Sequence, residues 1–166
     1  MAIFFSAERR LVLRLLDYWQ NVRETRRWPR FTSIEPTALG PDWLNCALLR
    51  WSESSGCFRF TAIGAALDTG EASLLDKVAA ECPPDTLVGY AVESIDRALA
   101  RQVPMSLGAE RPRGDETILY RSIILPLGDE EETIGGFLLG VNCRVLQHVE
   151  KIVEFPNPDR PGQPAT

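Results

Sequence analysis

A chain of 166 residues is the length of one domain, and 45% hydrophobic against 25% charged residues is the balance of a globular protein able to bury a core. No apolar run approaches the ~18 residues needed to cross a bilayer, and the start MAIFFSAERR has its charges after the apolar residues, the reverse of a signal peptide, so a cytoplasmic address is expected. A net charge of −5 gives no general attraction to phosphate backbones and argues against a nucleic-acid partner.

Residues 6–24 give the strongest helical signal. Leu11, Val12, Leu15, Leu16, Tyr18, Trp19 and Val22 fall in one arc of roughly 160°, with Ser6 placed to cap. Such an arc has to pack on something, either the free face of a sheet or its own copy in a second subunit. Residues 1–30 hold seven arginines against three acids, so this segment carries +4 and the remainder −9. That is either a membrane-surface or acidic-partner contact, or a solvated helix face, the commoner case. Trp28-Pro29 ends the segment, and residues 29–42, with three prolines, read as a connection with a helical turn near Pro36 to Leu39.

Trp43 to Trp51 and Cys57 to Gly64 read as two strands joined by SESSG. Residues 71–81 and 84–103 read as two helices, the second with Asp85 as its cap. Three strands follow, at Pro104 to Ala109, Glu116 to Leu127 and Thr133 to Cys143, joined by RPRGD and GDEEE. Residues 155–166 hold four prolines in twelve and predict a disordered tail. The expected fold is α+β: a five-stranded antiparallel sheet with inserted helices and an N-terminal amphipathic helix. The divisions are 1–27 for that helix, 28–150 for the domain and 151–166 for the tail.

Cys46, Cys57, Cys82 and Cys143 are widely spaced with no C-x-x-C pair, and His148 is the only histidine. Neither a multi-histidine metal site nor a histidine-based triad can be built, and no phosphate loop or G-x-S-x-G is present. An enzyme is not expected.

The element order and three short motifs resemble a PAS domain of the short single-domain kind common in alphaproteobacteria. The motifs are Trp28-Pro29-Arg30-Phe31 with Ile34-Glu35-Pro36, Phe58-Arg59-Phe60 with Ile63-Gly64, and Ile123 to Leu127. The resemblance covers roughly residues 15 to 143. Ala65 to Gly70 is a reduced match to a polar, threonine-containing turn of that family. The resemblance implies a sensory or regulatory domain in signal transduction, with a cleft between sheet and helices for a small ligand, or a partner protein as its output.

Phe60, Tyr90, Met105, Tyr120 and Arg121 are the candidate cleft residues, since they mix apolar bulk with polar handles. Packing is the competing role for the four uncharged ones. The alternative function is a purely structural interaction module with a self-filled core. A homodimer through residues 6–24 is expected, with Tyr18 and Trp19 as anchors.

A third reading comes from Gly140 to Gln147 (GVNCRVLQ), which resembles the cysteine motif of flavin-binding blue-light sensors. Its position argues against that role. In those sensors the motif sits on a mid-domain helix, whereas here it continues a predicted final strand and only nineteen residues follow Gln147. Cys143 is accordingly expected as a buried thiol at a strand end.

Overall fold

The computed structural model describes residues 6–146, and their side chains from Arg10 onward. His148, residues 147–150 and the tail expected at 151–166 lie outside the described residues. The elements are α1 (Ser6–Arg23), β1 (Cys46–Ser52), β2 (Cys57–Ile63), α2 (Leu87–Val92), α3 (Ile95–Arg101), β3 (Met105–Arg113), β4 (Glu116–Gly128) and β5 (Ile134–Leu146), with short 3-10 turns between. The five strands form one antiparallel sheet in the order β2-β1-β5-β4-β3. This is the expected α+β architecture, with two strands, a helical insert and three strands.

The centre of the sheet is buried on both faces, and strand alternation sorts its residues between two cores. One face carries Ala47, Leu49, Phe60, Ile118, Tyr120, Phe137 and Leu139 beneath α2 and α3. The other carries Cys46, Leu48, Ile123, Leu125, Leu127 and Leu138 beneath α1. Of the two fates open to the amphipathic helix, the fold takes the first: Leu11, Val12, Leu15 and Trp19 are buried against the sheet. The arc that argued for a homodimer is thus covered by the chain itself.

Leu15 lies directly over Gly140 of β5, where any Cβ would overlap its Cδ1. The absence of that side chain is what lets the helix approach so closely. Trp19 Nε1 donates to Pro126 O at 2.8 Å, and Arg14 makes two 2.7 Å bonds to the Asp42 carboxylate. Arg23 stacks over Trp19 and Arg27 over Trp28. Arg14 and Arg23 on α1, and Arg27 just beyond it, therefore have partners within the fold.

The sequence-based elements need correcting in four places. No α-helix forms over residues 71–81, where only Ala79–Glu81 make a 3-10 turn. Phe60 N donates to Lys77 O, Asp76 N to Phe60 O, and Arg59 bridges Val78, so this segment lies along the outer edge of β2. Pairing the open edge of a sheet outweighs a modest helical periodicity. Asp76, at φ 64°, and the Asp68 carboxylate accepting from Leu74 N fix the irregular path.

Residues 84–103 form two short helices, α2 and α3, which bring separate sets of buried residues onto the sheet. Thr86, rather than Asp85, caps α2, accepting from Gly89 N at 3.1 Å. Trp43 to Asn45 belong to a 3-10 segment (Pro36–Asn45), so β1 begins at Cys46. β3 runs on through Arg113, which makes RPR strand and leaves Gly114 (φ 61°) at the hairpin turn. Pro112 is tolerated there because β3 is an edge strand.

Candidate functional site

Over β4 and β5 the cleft between the sheet and α2 is filled. Phe60, Tyr120 and Phe137 are completely buried, and Tyr90 descends from α2 to stack on Tyr120, with ring centroids 5.0 Å apart and planes at 27°. Tyr90 can reach the sheet because α2 starts very close to the preceding turn. A Cβ on Gly89 would overlap Pro83 O, and the Thr86 hydroxyl ties the turn down by donating to Pro83 O at 2.7 Å.

Arg111 of β3 closes the outer side of this stack. Its guanidinium lies 5.2 Å from the Tyr90 ring centroid and 6.0 Å from that of Tyr120, and donates to Glu93 at 3.3 Å. The Tyr120 hydroxyl, followed by Glu93, raises the Arg111 pKa. That hydroxyl is fully buried and close to the guanidinium, but makes no well-aligned hydrogen bond.

The five candidate residues therefore separate into two groups. Phe60, Tyr90 and Tyr120 share one core, with Met105 partly buried against it. Arg121 points the other way. It follows Tyr120 on β4, so its side chain lies on the α1 face, over Gly108 of β3. A charge there meets the sheet's half-buried end rather than the cleft. Arg111 and Arg113, which do face the α2 side, were hidden in a stretch that reads as a turn. A tight turn at Gly114-Asp115, in place of the five-residue RPRGD, puts both arginines on β3.

Two depressions open on this side of the molecule. A recess of about 190 Å³ lies beside the stack, bordered by Leu67, Thr86, Tyr90, Arg113 and Ile118. A groove of about 580 Å³ runs between the β1–β2 hairpin and the elbow joining α2 to α3.

Gly140 to Leu146 of the flavin-like motif lie on β5, the central strand, with Cys143 opposite Tyr120. Cys143 is half-buried against the filled core rather than fully buried as expected. The other thiols differ. Cys46 is completely buried beside Asp42, and burial, then the Asp42 charge, pushes its pKa up to about 12. Burial likewise raises Cys82, partly offset by the Thr86 hydroxyl. Among the described residues no group of three or more His, Cys, Asp or Glu side chains could hold a metal ion, and no helix is long and apolar enough to cross a membrane.

No family model matches the chain, and no curated protein matches it. Among solved structures, a sensory box sensor histidine kinase from Vibrio cholerae is similar to this chain with 18% identity and a TM-score of 0.44. The match covers 67% of this chain and 89% of that one. A light-oxygen-voltage domain studied with a flavin analogue is similar with 19% identity and a TM-score of 0.46, covering 68% of this chain and 84% of that one. These likenesses concern overall shape.

Proposed function

We propose that the chain is a PAS-like regulatory module in signal transduction that works through protein contact, its core being filled by its own side chains. The observation that carries this is the Tyr90–Tyr120 stack with Phe60 and Phe137, which fills the space between the sheet and α2 where the sequence resemblance implied a ligand cleft. An internal ligand would have to displace side chains packed at interior density, at a cost of several kcal/mol for each large residue.

A second reading, a small ligand at the surface, is favoured by the 190 Å³ recess. It brings Arg113 and Thr86 beside the Tyr90 ring. The recess is smaller than the ~300–1,000 Å³ of usual small-molecule sites, whereas the 580 Å³ groove beside Trp51 falls within that range. A homodimer through residues 6–24 would have to use the outer face of α1, where Leu13 is 61% exposed.

Thermal unfolding in excess flavin tests the main reading. A ligand at 100 times its Kd stabilises by about 2.7 kcal/mol, enough to raise Tm by several degrees. The expected result is an unchanged Tm and a colourless protein after removal of excess flavin. A yellow preparation that bleaches reversibly under blue light, and loses this with Cys143→Ala, would overturn it.

A further inference from the structure

We infer that the groove between the β1–β2 hairpin and the α2–α3 elbow is a docking site for an amphipathic helix of a partner protein, with its leucine-type face flanked by Lys or Arg. This rests on the reading above, in which the chain works through protein contact.

The groove has an anchored aromatic wall. Phe137 of the core meets Phe58 at a centroid distance of 5.1 Å, and Phe58 meets Trp51 edge-on at 5.1 Å. Exposure rises along this row from completely buried Phe137 to Trp51 at 41%. An aromatic held from beneath by the core and open on its outer face is the usual form of an interface anchor, because little side-chain entropy remains to be lost on binding. The opposite wall, on α3, presents Ile95 and Leu99, the latter 37% exposed.

The charges along the groove have one sign. Its only charged lining residues are Glu93 and Asp96, with no Lys or Arg among them. Glu93 is shared with Arg111 across an exposed 3.3 Å pair, which leaves Asp96 in the first turn of α3 as the outward-facing acid. An apolar trough with an acidic lip complements an apolar stripe with basic flanks.

The backbone surroundings select a helix over a strand. At Arg59 and Phe60 the edge of β2, where an added strand would pair, is already occupied by residues 76–78. Main-chain pairing is unavailable there, so recognition falls to side chains, as in helix-in-groove binding through i, i+3, i+4 and i+7 anchors.

The test uses the full chain, labelled with 15N, in 150 mM salt. The probe is a synthetic 15-residue helical peptide of leucine and lysine, compared with its leucine and glutamate counterpart of identical leucine spacing. The leucine–lysine peptide is expected to shift the Trp51 indole and the backbone amides of residues 92–99, while the leucine–glutamate peptide leaves them unmoved. Asp96→Lys and, separately, Leu99→Ser should each weaken binding at least tenfold. Should Asp96→Lys fail to fold, Leu99→Ser carries the comparison.

Shifts centred outside the groove, equal binding of the two peptides, or saturation of the groove by benzamidine at concentrations where the peptide gives no response would each overturn the proposal. A small molecule retained in the native mass spectrum would instead contradict the underlying reading of a filled core. The two failures are therefore distinguishable.

Discussion

The Tyr120 hydroxyl is a buried polar group without a hydrogen bond that satisfies it, which predicts an unusual mutational response. Tyr120→Phe is expected to be neutral or to stabilise by up to about 1 kcal/mol in chemical denaturation, because the substitution removes a desolvated hydroxyl and keeps the ring stack. A loss beyond about 1 kcal/mol would show that the hydroxyl is satisfied in solution. Cys46 gives a pH signature. Its thiol ionises near 9 in the unfolded chain and near 12 in the fold, so between these values the unfolded state holds fewer protons. Stability is intact below pH 9 and falls as pH rises through that window. Comparing urea midpoints of the native chain and Cys46→Ala should show a shallower alkaline decline in the variant; parallel declines would place the Cys46 pKa near its ordinary value. At this scale residue type was legible and direction was not. Tyr90 and Tyr120 were found from their bulk and position, whereas the opposite facing of Arg121 depends on strand parity, which a one-residue difference in register reverses.

α1 illustrates how an element can be read correctly while its partner is not. The 3.6-residue spacing of Leu11, Leu15 and Trp19 identified the helix, but the sequence alone left open whether sheet or second subunit would cover it. What settles the matter is Gly140, which makes room for Leu15 on a distant strand. Leu15→Ala is expected to cost about 2–5 kcal/mol. Gly140→Ala should also destabilise, and the double substitution should cost clearly less than the two together, since the alanine at 15 no longer meets the new methyl. Strict additivity in thermal or urea unfolding would contradict this contact. Deleting residues 1–27 would expose the sheet face carrying Leu48, Leu125 and Leu138, so the expected outcome is aggregation or loss of cooperative unfolding rather than a soluble domain of altered oligomeric state. The segment at 71–81 was misread for the opposite reason. Its local apolar spacing is weak, and the hydrogen bonds offered by the β2 edge, separated from it by more than ten residues, determine its path.

At the scale of the whole molecule, the strand grouping and turn chemistry made the α+β order readable, because two strands, an insert and three strands leave few ways to pair antiparallel neighbours. Whether the cleft is open or filled could not be read in the same way. It depends on how deeply α2 sits, and that follows from the contact between Gly89 and Pro83 and the Thr86 cap. The filled cleft directs attention outward, to the groove beside Trp51, which the proposed mode of action through protein contact would use. A native mass spectrum of the freshly purified full chain tests this most directly. The account predicts only the mass of the polypeptide, or a whole multiple of it, with nothing else retained; a stoichiometric small-molecule adduct that survives gentle ionisation and is lost on unfolding would contradict it.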